Sequence, residues 1–207
     1  GFYAAGEAAC ISVHGANRLG TNSLLEASVF GRRAGYAMAN FVKNGAALQP
    51  VSGDPAARNR QKVKALLDNS GAELVEDIAQ DLKTTMTNNC GIFRDEERLR
   101  KAMQDIKALQ GRFQNARTMD KSSRFNTDVL ATLETDHMLT FSEVIVAGAL
   151  VRQESRGAHS RTDFPQRDDV NWLAHTVAHK DGPDGPRLSY KPVTIDYEKY
   201  PPQERKY

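Results

Sequence analysis

The stretch GEAACISVHGANRLGTNSL, residues 6–24, determines how the rest of the chain is organised. Its small residues allow the backbone to approach a flat ligand closely. An apolar run follows at once, so the sequence predicts a helix that begins near Asn22 or Ser23. The first turn of a helix presents unpaired N–H groups and a partial positive charge. Arg18, just before that turn, adds a guanidinium that suits a carboxylate or a phosphate. The pattern indicates an anion site beside a planar ligand, and an ordinary glycine-rich loop that caps a core helix is the alternative.

The composition is that of a globular protein and excludes several functional classes. Hydrophobic residues make up 40% and charged residues 26% of the 207 positions. A net charge of +2 is too small to indicate binding to nucleic acid or to an anionic membrane. No apolar run reaches the ~18–20 residues of a transmembrane helix. Cys10 and Cys90 lack metal-binding spacing, which favours reduced thiols in a cytosolic protein, and Cys10 is expected to be a buried small residue.

The first predicted helix covers residues 23–43. It is apolar on most sides, so we expect it to be buried, and it should end at Asn44 and Gly45. Residues 1–5 are typical of a short buried strand, and the chain opens on them without an initiator Met. This opening indicates a processed chain or the C-terminal piece of a longer protein. Residues 45–56 hold two glycines and two prolines and indicate a linker.

Apolar residues at helical spacing then predict an antiparallel bundle. Its three helices cover residues 71–88, 95–116 and 127–152, and a shorter helix over 57–69 precedes them. Asp95 is a suitable N-cap for the second. The fold class is therefore mainly α (α+β), and the bundle itself says nothing about function.

The remaining segments are irregular. Residues 154–175 are dense in charge, and the large apolar Phe164 and Trp172 among them indicate a packed segment held by ion pairs. Residues 181–186 are typical of a turn. Residues 188–191 and 193–197 alternate with period two and predict short strands in the tail.

Two of these segments resemble one family. The run HGANRLGTNSL, residues 14–24, resembles the flavin-contacting turn of succinate dehydrogenase and fumarate reductase flavoprotein subunits. RGAH at 156–159, DFP at 163–165 and RDD at 167–169 resemble the segment that follows the helical domain of that family. The resemblance covers essentially all 207 residues and implies three parts. They are the end of an FAD-binding domain with a strand–turn–helix piece (1–50), the helical bundle (51–153) and a C-terminal extension packing on the flavin domain (154–207).

The resemblance also implies a role for each matched residue. Glu7 matches the acidic residue that binds FAD, and Ser23 and Leu24 match residues whose backbone lies against the flavin ring. Arg18 matches the arginine that binds a carboxylate of succinate or fumarate. The implied partners are a dicarboxylate, an iron–sulfur subunit and, indirectly, membrane anchor subunits. The implied location is peripheral, on the cytoplasmic side of the membrane.

The chain departs from the family in what it lacks. It has no Gly-x-Gly-x-x-Gly turn, no capping domain with the family's catalytic arginine, and no histidine for covalent FAD attachment, so it resembles roughly the last third of such a subunit. We therefore expect no catalytic residue within it, and we expect that alone it neither retains FAD nor oxidises succinate. Asp168 and Asp169 favour pairing with arginine, so no metal site is predicted.

Alternative interpretations of the function stay open. The complete subunit could be a fumarate reductase or an L-aspartate oxidase, and the isolated chain could be a non-catalytic helical interaction domain. His14 is expected to be structural and hydrogen-bonded, and His159 to pack through ion pairs onto the flavin domain. His137 and His175 are expected on helix faces and His179 in a loop.

Overall fold

The computed structural model describes residues 1–47, 50–180 and 185–203. The chain divides into two compact units. The first contains residues 1–74 and 115–132, and the second contains residues 75–114 and 133–207. The predicted three-part division at residues 50 and 153 stays a prediction.

The first unit is built around one long helix. A single 3₁₀ turn at Gly6–Ala8 precedes α1 (Gly20–Lys43), which ends at Asn44 as predicted and begins a few residues earlier than expected. Gly6 has a φ of +71° and lies against Ala27 of α1, a backbone conformation that favours glycine. The 3₁₀ turn is thereby placed directly against the first half of α1.

The rest of the first unit contains α2 (Ala57–Asp68) and a short parallel pair of β1 (Glu73–Leu74) and β3 (Ala116–Arg117). Gly71 permits the close approach of the segment before β3, because a Cβ there would lie 1.9 Å from the carbonyl oxygen of Asn115. The predicted strand over residues 1–5 is wrong: these residues are extended but unpaired among the described residues, and Phe2 is exposed. Tyr3 instead packs edge-on against Phe41 of α1.

The second unit contains the predicted bundle. Its helices are α3 (Val75–Asn89), α4 (Glu96–Phe113) and the part of α5 (Thr127–Val151) from Leu133 onward, since the first six residues of α5 belong to the first unit. The N–H of Glu73, just before α3, donates to the carbonyl of Asn115, just after α4, at 3.2 Å. Asp81 in the middle of α3 also pairs with Arg112 near the end of α4 at 2.7 Å, so these helices run antiparallel. Gln110 of α4 donates a hydrogen bond to Glu143 of α5 at 2.8 Å. The core of this unit consists of Val75, Ile78, Leu82, Cys90, Leu99, Ala102, Ile106, Leu109, Phe113, Leu139, Val146 and Ala149.

Local sequence explains this bundle. The carboxylate of Asp95 accepts a hydrogen bond from the N–H of Arg98 at 2.9 Å, which confirms it as the N-cap of α4. Ile78 with Leu82 in α3, and Leu99, Ile106 and Leu109 in α4, recur at helical spacing and are buried. The predicted fold class, mainly α with a helical bundle and short strands, is confirmed.

Two strand pairs complete the second unit. β2 (Phe93–Arg94) pairs in parallel with β4 (Ser160–Arg161). β5 (Ala174–His179) pairs antiparallel with β6 (Arg187–Pro192), with Thr176 opposite Tyr190. β6 confirms the strand predicted at 188–191.

The local structure of this region differs from the prediction at two histidines and in the tail. His175 and His179 lie in β5, so their predicted places on a helix face and in a loop are wrong. The reason is that β5 is stabilised by pairing with β6, which local periodicity does not reveal. Residues 193–197 are irregular rather than a strand. Most of the turn predicted over 181–186 lies outside the described residues.

Candidate functional site

The turn before α1 brings three of the predicted site residues together. Arg18 donates from Nη2 to the carboxylate of Glu7 at 2.8 Å and from Nε to the hydroxyl of Ser23 at 2.6 Å. The Ser23 hydroxyl in turn donates to the carbonyl of Leu19 at 3.0 Å. We call Glu7, Arg18 and Ser23 the Arg18 cluster. In the chain, Glu7 lies 11 positions before Arg18 and 16 positions before Ser23, and these contacts bring the three residues together at the start of α1.

The Arg18 cluster is open to solvent. The side chain of Arg18 is 45% exposed and that of Glu7 is 85% exposed. An exposed ion pair of this kind contributes about 0–1 kcal/mol. An incoming carboxylate can therefore replace Glu7 on the guanidinium at little cost, and two parallel N–H donors would then hold it.

The start of α1 offers further donors. Leu19 occupies the N-cap position and makes no side-chain capping hydrogen bond within the described residues. The N–H of Ser23 donates to the Leu19 carbonyl at 3.0 Å, so the N–H groups before it are the ones that helix geometry leaves unpaired. These groups and the helix dipole suit an electron-rich or anionic edge of a planar ligand.

Leu24 lies on α1 directly after the Arg18 cluster and is 73% exposed. It is one of the large apolar side chains of α1 that the described residues leave in solvent: Leu24, Leu25, Val29, Tyr36, Met38 and Val42. We call these residues the α1 face. The prediction that α1 is buried is wrong for this chain. An apolar composition requires a partner surface to cause burial, and the described chain does not provide one for the α1 face.

A second set of contacts lies beside the Arg18 cluster. His14 Nε2 is 2.6 Å from the carboxylate of Glu26, and the amide nitrogen of Asn22 lies 3.2 Å from His14 Nδ1. His14 is hydrogen-bonded, as predicted, and its structural role stays a prediction. Sequence reasoning missed Glu26, which is buried on α1. The signal was available, since Glu26 is the one acidic residue among apolar neighbours over residues 23–43.

In the second unit, residues 152–169 form a buried ion-pair network. Glu154 has no exposed surface and receives hydrogen bonds from Arg152 at 2.6 Å and Arg156 at 2.9 Å. Arg156 also pairs with Asp169 at 2.7 Å. Burial raises the pKa of Glu154, but the hydrogen bonds from Arg156, the Asp168 N–H and Arg152 outweigh it and hold the pKa below its usual value. The predicted packing of this segment through ion pairs is confirmed.

The same network stabilises the end of α5. The buried guanidinium of Arg161 donates to the carbonyls of Ala149 and Leu150, each at 3.0 Å, and pairs with Asp163 at 2.7 Å. The hydrogen bonds from Arg161 lower the pKa of Asp163 to about 2. Cations suit a helix C-terminus, so these contacts are structural in character.

His159 lies among arginines, 3.1 Å from Arg94 and 3.2 Å from the carbonyl of Arg152. Burial lowers its pKa, and the charges of Arg94, Arg161 and Arg152 act in the same direction. These neighbours do not form a nucleophilic triad. The predicted packing of His159 onto a flavin domain stays a prediction.

The thiols and carboxylates of the described residues do not form a common site. Cys10 is exposed, so the prediction of its burial is wrong, and Cys90 is buried; both are free. The apolar sequence context of Cys10 does not bury it, because burial requires a packed partner surface as well as apolar neighbours. Asp169 pairs with both Arg156 and Arg167, as expected from its sequence context. Within residues 1–47, 50–180 and 185–203, no group of three or more His, Cys, Asp or Glu is arranged to hold a metal ion.

Comparison with known proteins shows the family of the chain. Residues 79–207 match the family model described as the fumarate reductase flavoprotein C-terminal region. The chain belongs to this flavoprotein family. The predicted resemblance to succinate dehydrogenase and fumarate reductase flavoprotein subunits is thereby confirmed.

Relatives of the flavoprotein family match the whole chain. The fumarate reductase flavoprotein subunit of Mycobacterium tuberculosis is 45% identical over 100% of this chain and 36% of its own length. The succinate dehydrogenase flavoprotein subunit of Coxiella burnetii is 36% identical over 99% of this chain and 35% of its own. A mutated FrdA chain of Escherichia coli quinol fumarate reductase matches in structure with a TM-score of 0.86 and 39% identity, over 98% of this chain and 35% of that one.

The chain thus spans about a third of the length of the flavoprotein relatives it matches. None of the helices in the described residues is long and apolar enough to cross a membrane. The family is one of flavoproteins, which agrees with the predicted flavin cofactor of the complete subunit.

Proposed function

We propose that the complete protein to which this chain belongs is the flavoprotein subunit of succinate dehydrogenase, which oxidises succinate to fumarate through FAD. The Arg18 cluster at the start of α1 carries this proposal. It joins an accessible guanidinium, an exchangeable carboxylate partner and a helix start in one place. The chain supplies one wall of the flavin and dicarboxylate site.

Each residue of that wall has a distinct task. Arg18 binds one carboxylate of the substrate and orients the dicarboxylate, which lowers the entropic cost of the reaction. Glu7 would hold FAD once Arg18 is engaged by substrate, and the backbone of Ser23 and Leu24 would contact the flavin. The first-turn N–H groups of α1 would favour negative charge on a flavin bound there. FAD supplies the hydride chemistry when bound, and we assign no catalytic residue to this chain.

The α1 face supports the proposal because it is exposed apolar surface that requires a packing partner. Leu24 and Val42, at opposite ends of α1, are each more than two-thirds exposed. Apolar surface of this extent marks a contact surface in a monomeric chain. We propose that the remainder of the FAD-binding domain covers it, so that the chain alone does not retain FAD. Stoichiometric flavin absorbance in the purified 207-residue chain would contradict this.

The proposed partners follow the family. Electrons pass from FAD to an iron–sulfur subunit and on to quinone, and membrane anchor subunits are reached only through that subunit. The subunit is peripheral and lies on the cytoplasmic side of the membrane. The Escherichia coli relative belongs to a quinol fumarate reductase, which supports coupling to a quinone.

A second candidate is the reverse reaction, fumarate reduction. The Mycobacterium tuberculosis relative, at 45% identity, is named a fumarate reductase subunit, whereas the Coxiella burnetii relative, at 36%, is named a succinate dehydrogenase subunit. The Arg18 cluster serves either direction, because both use a dicarboxylate. Oxygen-dependent oxidation of aspartate without an iron–sulfur partner would instead indicate an L-aspartate oxidase, and the absence of any flavin chemistry would indicate a helical interaction domain.

Substitution of Arg18 tests the proposal. In the complete enzyme, Arg18→Lys should lower kcat/KM for succinate-dependent dye reduction by on the order of 10²-fold or more, because lysine lacks the two-pronged donor. Arg100→Lys is the matched control, since Arg100 is an exposed arginine of α4 in the second unit that pairs with Glu96 of the same helix. Its kcat/KM should stay within about twofold of the parent enzyme. Equal effects of both substitutions would refute a substrate role for Arg18.

A further inference from the structure

Three side chains of the first unit form a continuous hydrogen-bonded chain: Asn22, His14 and Glu26. We call them the His14 relay. We infer that the His14 relay is a positioning device that fixes the turn carrying Arg18. The inference rests on the proposed function, because it takes Arg18 as the residue that binds the dicarboxylate.

The hydrogen-bond partners of Asn22 and His14 indicate which nitrogen of the His14 ring carries the hydrogen. The carbonyl of Val13 can only accept, so the Asn22 atom 3.0 Å from it is the amide nitrogen. The second hydrogen of that nitrogen faces His14 Nδ1 at 3.2 Å. Nδ1 therefore accepts, and the ring hydrogen sits on Nε2, from which it is donated to Glu26 at 2.6 Å. Asn22 thus selects the tautomer that Glu26 requires.

The burial of the Glu26 carboxylate costs the fold free energy. Its side chain is 3% exposed, and its second carboxylate oxygen, Oε1, is buried without a hydrogen-bond partner among the described residues. A buried carboxylate that uses only one of its oxygens costs free energy relative to an apolar residue of similar size. The fold of α1 alone gives no reason for a carboxylate here. What Glu26 does provide is a strong acceptor that anchors His14 to the second turn of α1.

The relay reaches Arg18 through the turn. Asn22 holds Val13 and His14 at one end of the segment 13–18, and the next residue, Ser23, holds Arg18 at its other end. Successive residues of one helical turn therefore tie down both ends of a six-residue loop. Releasing His14 leaves only the hydrogen bond from Asn22 to the Val13 carbonyl at the first end, and this looser hold lets the backbone at Arg18 shift. A displacement of about 1 Å in a substrate-orienting group lowers rates by up to about 10²-fold.

The test uses the complete enzyme and measures kcat and KM for succinate per bound flavin. Glu26→Gln keeps the size of the side chain and removes its charge. His14→Phe keeps a ring and removes the donor, whereas His14→Gln keeps a donor near the position of Nε2. Glu97→Gln is the control, since Glu97 is an exposed glutamate of α4 in the second unit. Each variant is also made in the Arg18→Lys background.

A positioning role predicts that Glu26→Gln and His14→Phe raise KM about tenfold. His14→Gln should restore KM to within about threefold of the parent enzyme, and Glu97→Gln should leave it unchanged. In the Arg18→Lys background the same changes should alter KM by less than about twofold, because residues that act through one group are not additive.

Two results overturn the inference. The first is an unchanged KM with lower flavin content or lower thermal stability, which would make the relay purely structural. The second is an equal KM increase in both backgrounds, which would show that the relay does not act through Arg18. Failure of the proposed function is separate: Arg18→Lys would then leave succinate kinetics unchanged on its own.

Discussion

The two units use the same chemical pair, arginine with a carboxylate, in opposite ways. In the first unit, Arg18 and Glu7 meet in solvent, with side chains 45% and 85% exposed. In the second, Glu154 is completely buried between Arg152 and Arg156, which are largely buried themselves. An exposed pair is weak and can be exchanged for a ligand, whereas a buried pair must keep its partners. Burial rather than residue type therefore separates the candidate binding arginine from the structural ones.

The largest expected effect is on Glu154. Glu154→Gln removes the charge that compensates two arginines in a buried site, so we expect the 207-residue chain to lose about 3–5 kcal/mol of stability. Glu7→Gln in the exposed pair should cost less than about 0.5 kcal/mol. Urea unfolding of both variants measures the contrast. Similar losses in the two variants would show that burial does not distinguish the two networks.

A smaller effect is expected at Asp163 and depends on pH. The pKa of Asp163 is lowered from 3.8 to about 2 by Arg161, so the stabilisation it provides is fully present above pH ~4. It is lost as the pH falls from about 4 to about 2. After a discount for solvent screening, we expect Asp163→Asn to cost about 1–2 kcal/mol at pH 7.

Unfolding midpoints measured between pH 2 and pH 7 check this. As the pH falls from about 4 to about 2, the Asp163→Asn variant should lose less stability than the parent chain, because it lacks the carboxyl group that is protonated in this range. Glu97→Gln should retain the full acid dependence. Parallel curves for Asp163→Asn and the parent chain would contradict the role assigned to the Arg161 pair.

The smallest expected effect concerns the α1 face. Leu24→Ser should change the stability of the 207-residue chain by less than about 0.5 kcal/mol, because Leu24 is already in solvent. Ile106→Ala in the core of the second unit should cost about 2–5 kcal/mol. In the complete enzyme, however, Leu24→Ser should lower flavin occupancy, because the proposed cover of α1 lies there. Unchanged occupancy would remove the α1 face from the flavin site.

The helices could be predicted because residue spacing and capping, which determine them, can be read from neighbouring positions in the sequence. The spacing of Ile78, Leu82, Leu99 and Ile106 predicts the helices that the structure contains, and Asp95 is the N-cap that its sequence position indicates. The strand β5 was not predictable. Its residues alternate weakly, and it forms because β6 pairs with it across an intervening segment.

The candidate site was only partly predictable. The resemblance to the flavoprotein family pointed to Glu7, Arg18 and Ser23, and the structure brings these three together. The exposure of α1 could not be predicted, because hydrophobic composition indicates that a surface needs a partner but not whether this chain contains it. Glu26 could have been singled out as the one acidic residue over residues 23–43, but its contact with His14, twelve residues earlier, could not be predicted from local sequence.

The central claim is that Arg18 exchanges Glu7 for a substrate carboxylate. The most direct measurement is an experimental structure of the complete enzyme with FAD and a bound dicarboxylate. The account predicts two hydrogen bonds from the Arg18 guanidinium to one carboxylate of the ligand, with the Arg18–Glu7 pair broken and Glu7 on FAD. A dicarboxylate bound elsewhere, with Arg18 still 2.8 Å from Glu7, would contradict it.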